Sequence, residues 1–417
     1  MILQGIPFSI PILLNFTMLT TFNSVITEYI SECKNCGQCN LSCPTHLTGL
    51  FNPLGLLRDL EMNGKSLEKV LNNQPIFNCI ACNRCMVNCP THTEGEGLGM
   101  DMANLILELR QYAFEHDIKI KNRTEKPGCG TILQNNPDTK ASKKSLSKVG
   151  VLHYFKNKPD LQISKTGEIA YFIADLPQLR KNYPEFREEL DQIPQAVVKI
   201  LNHLNIKPVV INLKGGGHDD LWVGDYSTFK TLAEFNVKTY RIAKVKTIVI
   251  ENDEAYRTWK FDYPRVIPDF DFEVYHLSEF LLEKNFIKRS IRNFPVDISF
   301  TYHDSSKLGR MGGGIYDAPR LILESLKGVE LIEMKNNREY SFDFGCTPYM
   351  QITEDTKQMW IDFVKEVCDT GAKYFITVNP KIVAHYNHVI STLFKGGDHA
   401  DIPIVKDWAV FLNHFLR

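Results

Sequence analysis

The chain has 417 residues, of which 43 % are hydrophobic and 23 % charged, and its formal net charge is −1 at pH 7. This length predicts two or three domains, and the composition is that of a globular protein able to bury real cores. The small net charge gives no support for nucleic-acid binding. Eleven cysteines without a secretory signal indicate a reducing, cytoplasmic compartment, where clustered thiols are metal ligands before they are disulfides.

Residues 1–22 form an apolar N-terminal extension, and no charged residue occurs before position 28. A membrane-spanning helix needs about 20 predominantly apolar residues, and Pro7 and Pro11 interrupt this stretch. It also lacks the basic start of a signal peptide. We expect an extension that is flexible or packs on a neighbour, with Met18 as a second candidate start; the alternative is a peripheral contact with a membrane.

Residues 23–120 predict a helical domain around two copies of one cysteine pattern. The stretches CKNCGQCNLSCP at 33–44 and CIACNRCMVNCP at 79–90 both have the spacing C-x₂-C-x₂-C-x₃-C-P. Pro53 favours a helix start between them, because proline at the first helical position loses no needed N–H. Residues 100–116 carry apolar side chains at helical spacing, which predicts a further helix.

The cysteine spacing is typical of [4Fe–4S] clusters. In two-cluster ferredoxins the first three cysteines of a run bind one cluster and the fourth binds the other. We therefore predict two [4Fe–4S] clusters, one on each of two sets of four cysteines. The first set is Cys33, Cys36, Cys39 and Cys89, and the second is Cys79, Cys82, Cys85 and Cys43.

Zinc is the alternative metal for such cysteines, but zinc sites usually pair two C-x₂-C motifs across a longer gap. Gly37 is expected to allow close approach of the backbone to the first cluster. The prolines Pro44 and Pro90 are expected to turn the chain away from each cluster.

Residues 121–164 predict a linker, because the stretch is polar and lysine-rich and contains Pro127, Gly128 and Gly130. From residue 165 onward, short apolar strands alternate with longer amphipathic helices. This alternation predicts parallel sheets flanked by helices. Strands are expected at 168–176, 207–213 and 246–252, with helices at 185–204 and 225–243.

The alternation then repeats along the chain. Three pairs of positions recur at nearly the same distance: Ile169 and Ile298 at 129, Val210 and Tyr340 at 130, and Thr247 and Tyr374 at 127 residues. Similar offsets indicate a tandem duplication. The predicted fold class is α+β multi-domain: an α-helical two-[4Fe–4S] ferredoxin domain followed by two tandem Rossmann-like α/β modules, at residues 165–290 and 291–417.

Two ferredoxin runs followed by a duplicated α/β region resemble the D-type iron–sulfur component of heterodisulfide reductase. The iron–sulfur subunits of glycolate oxidase, anaerobic glycerol-3-phosphate dehydrogenase and lactate utilisation are similar. The resemblance covers roughly residues 25–415 and is carried by residues 224–264, 303–339 and 370–380. It implies that each module descends from one with cysteine-rich CCG motifs that bind a catalytic or electron-accepting cluster.

This chain departs from that pattern in both modules. The positions at which the resemblance implies cysteines carry other residues: Asp175, residues 214–220, Asn252, Ala255, Ser306, residues 342–346, Asn379 and Ile382. We expect the special cluster to be lost, the α/β region to serve as a scaffold, and direct heterodisulfide reduction to be absent. The alternative is a rebuilt metal site, for which the candidates are Cys129, Cys346 and Cys368 with His218, His303, His385 and His388.

A second polar set falls near the predicted strand ends, where α/β folds bind ligands. It consists of Asp175, Lys214, His218, His303, Asp304, Lys307 and Arg310. Solvated loop polarity is the preferred interpretation and a small-anion pocket is the alternative. The glycine-rich stretches at 94–100, 213–220 and 309–314 lack the spacing or context of nucleotide-binding motifs. We therefore expect no flavin or nicotinamide on this chain.

The leading functional hypothesis is a non-catalytic iron–sulfur subunit of a heterodisulfide-reductase-like or flavin-dehydrogenase-like oxidoreductase complex. It would relay single electrons through the two clusters to or from a flavoprotein or another redox subunit. Two alternatives stay open: a catalytic reductase with a rebuilt site in the α/β cleft, and a non-redox binding protein stabilised by its clusters.

Overall fold

The structure is a computed structural model that describes residues 30–63, 66–93, 101–118, 150–286, 298–343, 354–394 and 402–416, together with Thr27 and Ile352. The predictions made for the N-terminal extension and for most of the linker lie outside the described residues. The same holds for Cys129 and Cys346. In the described part of the chain, no helix is both long and apolar enough to cross a lipid bilayer.

Short helices surround the two cysteine runs. Pro53 begins the helix predicted between the runs, and Asp101 caps the helix predicted after them by accepting from the backbone N–H of Asn104. Leu56, Leu57 and Leu60 of the first helix share one core with Leu105 and Leu109 of the second. The helices are Gln38–Ser42, Pro44–Leu47, Pro53–Asn63, Leu67–Asn73, Arg84–Val87, Pro90–Thr93 and Met102–Glu115, with a 3₁₀ turn at Ile76–Asn78.

Seven strands form two parallel sheets in the described part of the chain. The strands are β1 Ile169–Tyr171, β2 Thr247–Ile250, β3 Glu273–His276, β4 Ile298–Tyr302, β5 Val329–Leu331, β6 Tyr374–Thr377 and β7 Ile404–Asp407. The first sheet has the order β1-β2-β3 and the second β5-β4-β6-β7. Each strand is short, and all but β5 have at least two buried residues, as expected of parallel sheets covered by helices.

Helices connect the strands and cover the sheets. The two helices predicted from amphipathic spacing are present, and Asp225 caps the second by accepting from the N–H of Thr228. The helices are Leu176–Asn182, Arg187–His203, His218–Val223, Tyr226–Ile242, Asp253–Arg257, Tyr263–Val266, Leu277–Glu283, Asp317–Glu324, Glu354–Cys368, Pro380–Leu393 and Trp408–Asn413. One π-helical segment occupies Thr258–Asp262, and 3₁₀ turns occur at Leu152–Phe155, Pro184–Phe186 and Arg338–Tyr340.

Two expected edge strands differ from the sequence prediction. The stretch at 207–213 pairs with β1 only through an isolated bridge at Val209, and Pro208 beside it has no N–H to extend the ladder. Residues 338–340 form a 3₁₀ turn that begins with a left-handed backbone at Arg338. These residues are not a strand, so matching Tyr340 with Val210 in the predicted repeat is wrong. Strand β5 occupies the corresponding edge beside β4.

The cysteine-bearing region packs directly on both sheets. Ile80 and Cys82 lie in the same apolar core as Trp360 below the second sheet. On the other side, Gly224 approaches the helix Met102–Glu115 so closely that an added Cβ would lie 2.3 Å from the carbonyl oxygen of Arg110. The second cysteine run is therefore held at the junction of the helical and α/β regions.

Candidate cluster-binding site

The structure arranges the eight cysteines around two recesses. One recess, of about 450 Å³ including its open mouth, is lined by Cys33, Cys36, Cys39 and Cys89. The other, of about 300 Å³, is lined by Cys43, Cys79, Cys82 and Cys85. These are the two sets of four that the spacing predicts, each with three members from one run and one from the other. Their role as ligands stays a prediction.

The two runs repeat one backbone conformation around their second cysteine. Asn35 and Gly37 flank Cys36 with φ of 55° and 78°, and Ala81 and Asn83 flank Cys82 with φ of 49° and 59°. Left-handed φ suits glycine and is tolerated by asparagine, whereas alanine is sterically disfavoured there. Strain of this kind is usually maintained at functional sites.

The glycine at position 37 is explained by this backbone turn. A Cβ placed on Gly37 would meet none of the described protein atoms within 4 Å, so among these atoms its left-handed φ is what explains the residue. The expected close approach of this backbone to the first cluster stays a prediction.

A threonine follows each Cys-Pro pair and contacts the fourth cysteine of its run. The hydroxyl of Thr45 lies 3.2 Å from Sγ of Cys43, and that of Thr91 lies 3.0 Å from Sγ of Cys89. A hydroxyl donates to a thiolate, and hydrogen bonds to sulfur tune the potential of an iron–sulfur cluster. Neither threonine is among the predicted site residues, although both runs continue as CPTH.

The protein alone does not stabilise the thiolate forms of three of these cysteines. Burial, with repulsion from Cys33 next, raises the pKa of Cys39 to about 12. Burial also raises the pKa of Cys79 to about 12, with Cys43 adding to the shift and Arg110 opposing it. The pKa of Cys85 is raised by burial and by its neighbouring cysteines. A bound cationic group would supply the charge that thiolates need here, and an iron–sulfur core with Cys₄ ligation fits this donor set.

A single metal ion fits less well. Within the described ranges, no three His, Cys, Asp or Glu side chains are spaced to hold one ion.

Cations from distant parts of the chain lie against the loop of the second set. Arg110 Nη2 donates to the carbonyl oxygen of Cys79 at 2.6 Å, and Lys307 Nζ to that of Ala81 at 3.0 Å. Arg310 Nε donates to the carbonyl oxygen of Cys82 at 2.7 Å. Lys307 and Arg310 come from the loop after β4, so the α/β region supplies two of these charges.

A fourth cation, Arg84, lies inside the second run. Its Nη1 donates to the carbonyl oxygen of Ser42 at 3.1 Å. Burial lowers the pKa of Arg84 and repulsion from Arg310 adds to this, while the sulfurs of Cys82 and Cys43 oppose it. The first set has a different neighbour, because Arg58 Nη2 donates to Sγ of Cys33 at 3.3 Å from a side chain that is 31 % exposed.

The polar set proposed near the strand ends does not form one pocket. Lys307 and Arg310 contact the cysteine loop, and Asp304 forms a two-point ion pair with Arg320 at 2.7 Å for each contact. His303 Nε2 lies 2.8 Å from the carbonyl oxygen of Phe342. The ammonium of Lys214 lies 4.5 Å from the ring centre of Phe235. The small-anion pocket is therefore not supported by the placement of these residues.

The remaining two residues of that set belong to a buried ionic network between the sheets. Lys381 Nζ lies 2.9 Å from Asp219 and 2.6 Å from Glu254, and His218 Nε2 lies 4.0 Å from Glu254. Repulsion from Asp219 adds to the burial that raises the pKa of Asp175 to about 6. The network joins the helix Pro380–Leu393 to helices of the first sheet, because Lys381 contacts both Asp219 and Glu254.

Positions at which the resemblance implies cysteines have structural roles here. Asn252 caps the helix Asp253–Arg257 by accepting from the N–H of Ala255 at 2.7 Å. Asn379 caps the helix Pro380–Leu393, and Ser306 contacts Asp343 through its N–H and hydroxyl. Helix caps of this kind stabilise a protein by about 1 kcal/mol each.

His385 and His388, two candidates for the alternative metal site, have other neighbours, although Nε2 of His385 is buried without a hydrogen-bond partner among the described residues. His385 Nδ1 lies 2.8 Å from the hydroxyl of Tyr183, and burial lowers the pKa of this histidine to about 3. His388 lies 3.7 Å from Glu185, and Cys368 ends the helix Glu354–Cys368.

Comparisons with known proteins agree with the cysteine geometry. Residues 28–93 match the family described as a 4Fe-4S dicluster domain. A probable iron-sulfur-binding oxidoreductase of Bacillus subtilis, FadF, is 30 % identical over 197 residues, which are 46 % of this chain and 26 % of that protein. The D-type component of the dihydromethanophenazine:CoB–CoM heterodisulfide reductase of Methanosarcina barkeri is 25 % identical over 194 residues, 44 % of each chain.

The matched region thus spans about a quarter of the length of the first relative and under half of the second. In overall shape it is similar to a crystal structure of a hypothetical protein from Helicobacter pylori. The TM-score is 0.54 at 10 % identity, with 94 % of this chain and 72 % of that one covered. At this identity the likeness concerns the fold alone.

Proposed function

We infer that this chain, which through residues 28–93 matches the 4Fe-4S dicluster domain family, is an electron-transfer subunit of an oxidoreductase. One observation carries the proposal: eight cysteines surround two recesses in crossed sets of three and one. A [4Fe–4S] cluster supplies reversible one-electron chemistry, with no atom transferred. Cys33, Cys36, Cys39 and Cys89 would hold one cluster, and Cys43, Cys79, Cys82 and Cys85 the other.

The α/β region would act as a scaffold built from two copies of one Rossmann-like module. The matching arrangement of β1, β2 and β3 with β4, β6 and β7 supports this duplication, because both sets are parallel and neighbour each other in the same order. We keep residues 23–120, 165–290 and 291–417 as its domains, with the linker at 121–164. The helix caps at Asn252 and Asn379 support the loss of the special cluster.

A redox subunit of a larger assembly is the partner that this function requires. A flavoprotein would serve, since it exchanges electron pairs with substrates and single electrons with clusters. The relatives of this chain include an EtfAB:quinone oxidoreductase, which favours such a partner. The first set is the one open to it, because Cys36 is exposed whereas the cysteines of the second set are buried.

Reversible one-electron reduction of the anaerobically purified chain tests the proposal. Dithionite should reduce the sample, and an artificial one-electron acceptor such as ferricyanide added in stoichiometric amount should restore the oxidised spectrum through several cycles. Iron that is retained but cannot be reduced would instead support the binding-protein alternative. Turnover of a disulfide substrate by the isolated chain would support the catalytic alternative.

A further inference from the structure

The two cysteine sets differ in their access to water. Around the first set, Cys36 is exposed and Cys33, Cys39 and Cys89 are partly exposed. All four cysteines of the second set are buried. A charge therefore acts on the second recess through protein, where screening is weak, but on the first recess partly through solvent.

The charges near the two sets also differ in number and burial. Lys307 and Arg110 are each 4 % exposed, and they donate to the backbone of the loop that carries Cys79 and Cys82. Arg310 donates to the next carbonyl of that loop. At the first set, Arg58 contacts Cys33 but shares its charge with Glu61, which also contacts it.

Two guanidiniums at the second set have hydrogen-bonding capacity left over. Arg84 Nε and Arg310 Nη2 are buried without a hydrogen-bond acceptor in the described part of the chain. In addition, the two guanidiniums repel each other. Buried donors of this kind cost free energy unless a partner compensates them. An iron–sulfur core is cationic by itself, but together with four thiolates it is anionic, so it would offset both the repulsion and the missing acceptors.

We propose that the second cysteine set, Cys43, Cys79, Cys82 and Cys85, holds the higher-potential of the two clusters, and that Lys307 and Arg310 set this difference. The inference rests on the proposed electron-transfer function. Reduction adds one negative charge to a cluster, so nearby buried cations stabilise the reduced form and raise the potential. An electron entering near exposed Cys36 is thereby drawn towards the junction with the α/β region.

The test is a stepwise anaerobic titration of the full chain, followed by EPR, for the wild type, Lys307→Gln and Arg310→Gln. Glutamine keeps an N–H donor for the carbonyl oxygens of Ala81 and Cys82 while removing the charge. We expect each variant to lower the midpoint potential of the higher-potential signal by about 59 mV, which for one electron is a tenfold change in the equilibrium constant of reduction. The midpoint potential of the other signal should not change. Arg310→Lys should retain the wild-type value.

Two controls fix the assignment. Cys36→Ser should leave only the second cluster, so the signal that survives in it must be the higher-potential one. Arg58→Gln should lower only the midpoint potential of the lower-potential signal. The shift should be smaller than in Lys307→Gln and Arg310→Gln, because the charge of Arg58 is partly solvated. A higher-potential signal that disappears in Cys36→Ser would overturn the proposal, and so would unchanged potentials in both glutamine variants at full iron content.

If Arg310→Gln loses iron, Lys307→Gln and Arg310→Lys decide the matter. Absence of reducible clusters in the wild type would instead contradict the proposed function itself.

Discussion

The guanidinium of Arg310 donates from Nε to the carbonyl oxygen of Cys82 across 2.7 Å. The two residues belong to different regions, since Cys82 lies in the second cysteine run and Arg310 in the loop after β4. Ile80 and Cys82 share an apolar core with Trp360, so the contact is part of a packed junction. The α/β region therefore helps to hold in place the loop that carries Cys82.

The crossed assignment predicts which cysteine variants should resemble each other. Cys36→Ser and Cys89→Ser come from different runs but line the same recess, so both should lose about half of the iron and the same EPR signal. Cys43→Ser, from the same run as Cys36, should lose the other signal. Iron analysis and EPR of the reduced variants provide the measurement.

Cys368→Ser is the matched control for these variants, because Cys368 lies on a helix of the α/β region. Its iron content should equal that of the wild type. Loss of the same signal in Cys36→Ser and Cys43→Ser would contradict the crossed arrangement.

The threonines beside the fourth cysteines should tune one cluster each. Thr45→Val removes the hydroxyl 3.2 Å from Cys43 and should lower only the potential of the second cluster. Thr91→Val removes the hydroxyl 3.0 Å from Cys89 and should lower only that of the first. A hydrogen bond contributes about 0.5–1.5 kcal/mol, which corresponds to roughly 20–60 mV for one electron. Unchanged potentials in both variants would show that the hydroxyls do not donate to the sulfurs.

The buried ion pair of Asp304 and Arg320 should be important for stability. Its two contacts are 2.7 Å long, and Arg320 Nε also lies 2.8 Å from Glu333. Asp304→Asn leaves the more exposed Glu333 as the counter-charge in contact with Arg320, so the cost should be about 3 kcal/mol, the lower end of the range for a broken buried pair. The midpoint of urea unfolding, followed by tryptophan fluorescence, should fall accordingly, since Trp222, Trp259, Trp360 and Trp408 all lie in the α/β region.

A partly exposed pair provides the control for this prediction. Lys284 Nζ lies 3.3 Å from Glu283 with both side chains at least 40 % exposed, and Lys284→Gln should change the unfolding free energy by less than about 1 kcal/mol. Equal effects of the two substitutions would contradict the role of burial.

Glu251 should make the stability of the protein depend on pH. Burial raises the pKa of this carboxyl to about 8, and repulsion from Asp407 adds to the shift; Tyr171 and Asp253 are its other titratable neighbours. Its pKa in the unfolded chain is about 4.3. Between these values the folded state binds more protons, so this group's contribution to stability falls as the pH rises.

Glu251→Gln removes that contribution. The free energy of unfolding of the variant minus that of the wild type should be more positive at pH 8 than at pH 5. The two differences should be separated by at least about 1.4 kcal/mol, the value of one pKa unit. Urea unfolding at the two pH values measures this difference, with the exposed Glu188, substituted as Glu188→Gln, as the control. A difference that is the same at both pH values would contradict a buried neutral carboxyl.

Local patterns were enough to predict part of this site. The spacing of the cysteines predicts both sets, because in two-cluster ferredoxins the first three cysteines of such a run bind one cluster and the fourth binds the other. Pro53 and Asp225 mark helix starts for local reasons, and the structure confirms those helices.

Contacts between distant residues could not be predicted in this way. Lys307 and Arg310 are correctly placed after a strand, but their acceptors, Ala81 and Cys82, are determined by tertiary packing. Strand β5 was missed because it has three residues, none of them buried, so it shows no apolar run. The threonines Thr45 and Thr91 could have been found, since they repeat within the motif itself.

The most direct test of the central claim is the iron and sulfide content of the anaerobically purified chain, with EPR of the dithionite-reduced sample. Two cubane clusters predict about eight irons and eight sulfides per chain and two interacting signals. About four irons, zinc in place of iron, or a third signal would contradict an electron relay formed by two clusters.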